Sequence, residues 1–396
     1  MQQESKSGNG LDVTIVCCCC RLTTTLIFCC IEGTVMNADF WRGKRVFVTG
    51  HTGFKGSWLS LWLQQLGAEV VGYALTPPTS PSLFEVARVG DDMMSIEGDV
   101  RDLVSLQDAI ATHQPDIIFH MAAQPLVRYS YENPVETYAT NVMGTVHRLE
   151  AVRQTGNTRV VVNITSDKCY ENREWVWGYR ENEAMGGHDP YSNSKGCAEL
   201  VASAYRNSYF GPNTYHEHGV GLASVRAGNV IGGGDWAGDR LIPDIIRAII
   251  AGESVLIRSP NAIRPWQHVL EPLNGFMTLA EQMWDSGTND AEGWNFGPND
   301  SDARPVSWIT EQLTQLWGDG ASWQLDTNVN PHEATYLKLD CSKAKSRLKW
   351  SPKLDLATTL DWIVEWYRAY IGEENMHQMT VAQIQQIGRA SCRERV

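Results

Sequence analysis

The chain has 396 residues, 43% of them hydrophobic and 20% charged, the proportions of an ordinary globular protein long enough for roughly two domains. A formal net charge of −13 argues against nucleic acid as a partner. It leaves room for an anionic small molecule held by a few local arginines.

The first 35 residues share no pattern with the rest of the chain. Six of the ten cysteines fall in the first thirty residues, and the run at 17–20 lacks zinc-ligand spacing. No metal site is expected. The stretch 13–31 is apolar but broken by Arg21, too interrupted to span a membrane, and no small-residue cleavage site marks a secretory signal. Residues 1–35 therefore read as an upstream segment outside the native protein, with the native start at Met36. Ile387-Gly-Arg-Ala-Ser-Cys-Arg-Glu-Arg-Val396 reads as adapter read-through. The other cysteines, Cys169, Cys197, Cys341 and Cys392, are scattered, which suggests a reduced, cytosolic body without disulfides.

Strands and helices alternate from Arg45. Arg45-Val-Phe-Val-Thr49 predicts a short apolar strand. It runs into Gly50-His-Thr-Gly53-Phe-Lys-Gly56 and a helix over 57–66. Glycines at such a turn let the backbone approach a pyrophosphate docked on the helix N-terminus. The spacing is G-x-x-G-x-x-G rather than G-x-G-x-x-G, so the strand before and the helix after carry the inference. A strand over 69–73 follows, then Gly98-Asp-Val-Arg-Asp102 after a further short strand, then a helix over 103–112. Asp116-Ile-Ile-Phe-His120 reads as a buried parallel strand. A long helix spans 134–154, with Pro134 suited to its first turn. A strand over 159–165, a helix over 191–210 and a strand over 222–226 complete a Rossmann-type α/β fold, a doubly wound parallel sheet.

After Arg226 the composition changes. A glycine-rich run at 228–238 leads to a helix over 241–251, and later helices fall near 271–286, 306–317 and 356–370. Residues 36–226 are expected to form the dinucleotide-binding domain. Residues 227–386 are expected to form mainly a smaller substrate lobe, with segments returning to the first domain and a crevice at the sheet's carboxyl edge.

The reactive groups stand in two short runs. Tyr191 and Lys195 are i,i+4, so a helix puts both on one face. A lysine ammonium beside a tyrosine pulls the phenol down from its usual value of about 10 toward neutrality. Such a tyrosine can take a proton from a hydroxyl while hydride leaves the same carbon. Ser166 can hydrogen-bond the same oxygen or cap a turn. The pair Asp167-Lys168 exceeds what alcohol oxidation needs and suggests a second step.

Six motifs carry a resemblance: Thr49-Gly-His-Thr-Gly-Phe-Lys-Gly-Ser-Trp58, His120-Met-Ala-Ala-Gln-Pro-Leu-Val-Arg128, Thr165-Ser-Asp-Lys-Cys-Tyr170, Tyr191-Ser-Asn-Ser-Lys195, Arg226-Ala-Gly-Asn-Val-Ile-Gly-Gly-Gly-Asp-Trp236 and Arg264-Pro-Trp-Gln-His-Val-Leu-Glu-Pro272. They resemble the extended short-chain dehydrogenase/reductases, and within them the nucleotide-sugar 4,6-dehydratases, over about residues 36–370. In the similar dTDP-glucose enzymes a glutamate stands at the position of Lys168, so the lysine favours the branch that acts on CDP-glucose. The resemblance implies tightly held NAD and a three-step reaction. C4 is oxidised, water is lost across C5 and C6, and hydride returns to C6, giving CDP-4-dehydro-6-deoxyglucose, as in deoxysugar biosynthesis. A homodimer or dimer of dimers is implied, with the helices near 134–154 and 191–210 packed across a two-fold axis.

The residue roles follow the same resemblance. Ser166, Asp167, Lys168, Tyr191 and Lys195 would be catalytic. Asp167 would deliver a proton to the departing C6 hydroxyl and Lys168 would take the C5 proton, stabilise the C4 enolate or bind the sugar. The lysine beside Asp167 lowers the carboxyl pKa, while burial raises it. NAD would be held by Gly50, Thr52, Gly53, Phe54, Lys55 and Gly56, by Asp99 and Val100, by Ala122 and Ala123, by Asn141, and by Tyr191 and Lys195. Asn141 is unfavourable inside a helix, which suggests a water or backbone contact. The substrate would meet Gln124, Arg128, Asn229, Arg240, Leu241, Arg264 and Asn295, with the arginines suited to a diphosphate. His120, Trp58 and Trp62 read as core residues. The second strand ends Gly72-Tyr-Ala-Leu-Thr76, with neither an acid for a ribose nor an arginine for a 2′-phosphate. Two other functions stay open: a nucleotide-sugar 4-epimerase or oxidoreductase, and a non-catalytic NAD-binding regulator.

Overall fold

The computed structural model describes residues 36–327 and 335–393. The upstream segment 1–35 lies outside the described residues, as does the end of the tail, 394–396. Twelve strands are named in chain order: β1 Arg45–Thr49, β2 Glu69–Ala74, β3 Met94–Glu97, β4 Ile117–His120, β5 Val160–Ile164, β6 Gly221–Ala227, β7 Asn229–Ile231, β8 Val255–Ile257, β9 Ile263–His268, β10 Gly293–Phe296, β11 Ala303–Pro305 and β12 Trp323–Leu325.

Seven of them form one sheet in the order β10-β6-β5-β4-β1-β2-β3, and every pairing in it is parallel. The interior strand β5 reads Val-Val-Val-Asn-Ile and is buried throughout, as a strand covered on both faces must be. Alternate residues feed two cores. Phe47, Ile118, Val161 and Leu222 face the helices Leu103–His113 and Gly144–Thr155. Val48, Phe119, Val162 and Ala223 face the helices Phe54–Gln65 and Leu270–Ser286. Trp58 and Trp62 are core residues on the second of these faces.

Three local differences from the sequence reading bear on the site. The helix after β1 begins at Phe54, three residues early, because extended Gly53 is its N-cap; Lys55 and Gly56 thus belong to its first turn. The helix expected over 134–154 is three segments, Pro134–Tyr138, a π turn Ala139–Met143 and Gly144–Thr155. Such π turns frequently mark functional positions, and Asn141 sits in this one. The glycine-rich run at 228–238 contains β7, which pairs with β9 in the small sheet β11-β9-β7.

The second lobe sends β10 back to the edge of the large sheet beside β6. The sequence reading had no strand there and no final helix. That helix, Met376–Arg393, packs against Leu356–Ile371 and Phe54–Gln65 and runs across the boundary drawn at residue 387. No helix among the described residues is long and apolar enough to cross a membrane.

Candidate active site

A cavity of about 610 Å³ opens at the carboxyl edge of the large sheet. One end is the glycine turn. Gly50 has φ +75°, and a Cβ there would lie 2.7 Å from the Ala122 nitrogen. A Cβ on Gly56 would lie 2.1 Å from the Gly50 oxygen. Both glycines are therefore required by close backbone approach. Gly53 leaves the helix N-terminus without a side-chain cap, so first-turn amides are free for an anion. This cradle fits a dinucleotide pyrophosphate. Thr49 Oγ1 accepts from the Met121 and Ala122 amides, each at 3.2 Å, and so ties β1 to the loop after β4.

Thr52, Phe54, Lys55, Asp99, Val100, Ala122, Ala123, Gln124, Tyr191, Lys195 and Arg240 line the same cavity. The Asp99 carboxylate is taken by Arg101 at 2.6 Å, which holds its pKa below the usual carboxylate range. Thr52 Oγ1 donates to the Leu75 carbonyl at 2.9 Å, so its side chain braces the end of β2. Asn141 is buried behind the wall. Its Oδ1 accepts from the Gln124 amide at 2.8 Å and its Nδ2 donates to the Gln124 carbonyl at 3.0 Å and to Ser194 Oγ at 2.8 Å. The contact is to the backbone, and Asn141 is placed to fix Gln124 rather than to touch a cofactor.

Ser166, Asp167 and Lys168 follow β5 in a short 3₁₀ turn. Ser166 Oγ donates to Asp167 Oδ1 at 2.9 Å and lies near enough to the Tyr191 phenol to lower its pKa. Asp167 is 2% exposed. Burial raises its pKa, and Lys168, Ser166 and Arg264 offset that only in part. Lys168 Nζ stands 6.0 Å from the centre of the Tyr191 ring.

Tyr191 corrects the sequence reading. Its phenol is not drawn toward neutrality but pushed up to about 12, chiefly by burial and by Asp167, with Ser166 and Arg240 pulling the other way. Lys195 is pushed down to about 7 by burial and by the nearby Lys55 ammonium, and Lys55 itself to about 8. Desolvation is the largest cause of both shifts. The i,i+4 spacing fixed proximity but carried no information on burial.

Asp235 holds Arg240 through both carboxylate oxygens, at 3.0 and 2.8 Å, and Arg240 in turn bears on Tyr191. Sequence reasoning missed Asp235, although it stands in the quoted Gly-Gly-Gly-Asp run. It also missed the buried ion pair of Arg226 with Glu199 at 2.9 Å. Glu199 accepts from Thr165 and so braces the turn that carries Ser166. The one sequence signal is Arg226, the single charge in the strand Gly221–Ala227.

The remaining residues expected to meet the substrate divide. Arg264 is buried in β9 within electrostatic reach of Asp167. Arg128 pairs with Asp239 at 3.0 Å. Asn229 begins β7 and Leu241 begins the helix Leu241–Ile250. Asn295 requires a correction. It lies in β10, fully buried, accepting from Tyr170 and donating to the carbonyls of Tyr179 and Asp340. Its amide is used up holding the lobe together, leaving none for a ligand.

A dinucleotide cradle sharing one cavity with a tyrosine–lysine pair is the arrangement of the extended short-chain dehydrogenase/reductases. The profile of the GDP-mannose 4,6 dehydratase family matches residues 47–362, and the chain belongs to that family. It is 65% identical to a CDP-glucose 4,6-dehydratase of Salmonella typhimurium over 86% of this chain and 95% of that protein. A solved dTDP-glucose 4,6-dehydratase from Bacillus anthracis in complex with NAD superimposes with a TM-score of 0.68, at 21% identity, over 85% of this chain and all of that one (100%); it shares the fold. The protein MoeE5, solved with UDP-glucose and NAD, is 25% identical, with a TM-score of 0.69, over 83% of this chain and 99% of that one.

Proposed function

We propose that this chain is an NAD-dependent hydro-lyase that converts CDP-glucose to CDP-4-dehydro-6-deoxyglucose. NAD, when bound, supplies oxidation at C4 and reduction at C6, so no net redox change results. The cavity has the size and glycine cradle for the cofactor, and the 65% identical relative is named for this substrate.

The observation that carries the dehydration step is the buried carboxyl of Asp167 beside Ser166, whose pKa burial raises above the usual carboxylate value. Tyr191 takes the O4 proton as its phenolate, a form that the positive charge of bound NAD would favour over the value the phenol has in the empty site. The C4 ketone acidifies C5, and Lys168 removes the C5 proton. Asp167 protonates the C6 hydroxyl, which leaves as water. Arg240 and Arg264 bind the diphosphate.

The protein acts as a homodimer in a reducing, cytosolic compartment. Val135 and Met143 of the segmented helix and Leu200 of the helix Pro190–Ser208 are large apolar side chains left exposed on neighbouring elements, as a helical interface requires. Cys169, Cys197 and Cys341 are free thiols, which suits that compartment.

Incubation with CDP-, dTDP- and UDP-glucose, with products read by mass, tests the reading. A product lighter by one water from CDP-glucose supports it. An isomer of unchanged mass would assign an epimerase, and no turnover of any donor a non-catalytic NAD-binding protein.

A further inference from the structure

A cation is buried on the sheet face away from the second lobe. Strand register places Thr49, His120, Asn163 and Ser224 on one rung across β1, β4, β5 and β6. All four are buried. Arg148, from the helix Gly144–Thr155, lies over this rung with 0% exposure. Its Nη2 donates to Asn163 Oδ1 at 3.0 Å. Its Nε and Nη1, with Asn163 Nδ2 and Ser224 Oγ, have no hydrogen-bond partner among the described residues.

The charge is equally uncompensated. No ion pair joins Arg148 to a carboxylate among the described residues; the one group that favours its charge is the Tyr205 phenol. Burial pushes the guanidinium down to about 9, so it stays protonated at neutral pH. His120, one strand over, is kept neutral by burial and by Arg148 itself, and cannot balance it. A buried charge without a partner is costly enough that proteins rarely keep one.

The chemistry of the unpaired atoms identifies what balances it. Nε, Nη1 and Nδ2 are donors only, and a serine hydroxyl turns to donate. A water there would accept from them but would have to aim two hydrogens at acceptors, and the one side-chain carbonyl in the group, Asn163 Oδ1, already accepts from Arg148 and keeps a single lone pair. An anion accepts from every donor and cancels the charge. Close packing between a helix and a parallel sheet favours a single atom over an oxyanion.

We infer that Arg148, Asn163 and Ser224 form a buried binding site for a monatomic halide, chloride in ordinary buffers. The site stabilises the sheet behind the turn that carries Ser166, Asp167 and Lys168, and takes no part in the reaction.

Thermal unfolding of the full chain in sodium chloride and in sodium gluconate, matched for ionic strength, reads the site through ligand linkage. The melting midpoint of the wild type rises by a few degrees with chloride and not with gluconate. Ser224→Ala weakens the chloride response, and Arg148→Leu abolishes it. Crystals grown with bromide show an anomalous peak in contact with Arg148 and Asn163, a result independent of whether either variant folds. Equal midpoints in the two salts, or bromide crystals with water or nothing beside Arg148, overturn the inference.

Discussion

Ser166 Oγ donates to Asp167 Oδ1 at 2.9 Å, while Asp167 Oδ2 is buried with no hydrogen-bond partner among the described residues. One oxygen is thus oriented, while burial raises the pKa of the carboxyl above the usual carboxylate value. Asp167→Asn keeps the shape and removes the acid. It should lower turnover by about 100-fold or more while C4 oxidation continues, so reduced cofactor accumulates in a single-turnover absorbance trace. Unchanged turnover in this variant would remove Asp167 from the mechanism.

Lys168 Nζ stands 6.0 Å from the Tyr191 ring centre, on the same turn as Asp167. Lys168→Met should also slow elimination, with exchange of the C5 hydrogen for solvent deuterium suppressed. Asp167→Asn should leave that exchange intact. If Lys168→Met exchanges C5 at the normal rate, the base lies elsewhere.

The depressed lysines make stability depend on pH. Lys195 binds its proton with a pKa of about 7 in the folded protein, against the ordinary lysine value of 10.5. Between these values the unfolded chain holds more protons than the folded one, so stability rises with pH. Lys55, at about 8, adds a contribution of the same sign. Urea denaturation of the cofactor-free protein should therefore show a gain from pH 7 to pH 10 that is smaller in Lys195→Met. A wild type that gains nothing over that window would contradict the burial argument.

Asp235 orients Arg240, and Tyr367 Oη donates to the Asp235 carbonyl at 2.5 Å from the helix Leu356–Ile371. Asp235→Asn loses the ionic clamp but keeps a hydrogen-bonding side chain of the same size. KM for the nucleotide sugar should rise about tenfold, the worth of one charge-assisted contact of ~1.4 kcal/mol, with kcat changed little. A fall in kcat at constant KM would place Asp235 in the chemistry instead.

Gly56 admits no side chain, since a Cβ would lie 2.1 Å from the Gly50 oxygen. Gly56→Ala must displace the turn and should weaken NAD binding by at least about tenfold, as calorimetry would show. A Cβ on Gly238 would meet nothing within 4 Å, so Gly238→Ala is the matched control. Equal affinities in the two variants would sink the cradle.

Much of the site was legible because it lies in short contiguous runs. The turn at Gly50–Gly56 is bounded by an apolar strand and a helix, and the i,i+4 spacing of Tyr191 and Lys195 follows from helical geometry alone. Asn141 was legible as a misfit, and its partner proved to be the Gln124 backbone. Three-residue strands such as β7, β8 and β11 leave too little pattern to see. Asn295 was misplaced because its strand crosses back to the large sheet, which no local signal announces.

Composition and local pattern determined the parallel α/β fold, the place of the glycine turn and the short runs that hold the candidate reactive side chains, because each depends on neighbours within a few residues. Only the tertiary structure decided the direction in which each group shifts. Burial raises the pKa of Asp167 and of Tyr191 and lowers that of Lys195, and burial depends on which chain segments exclude water from them. The charges that act on them, Arg264 of β9 on Asp167 and Arg240 on Tyr191, likewise come from distant parts of the chain.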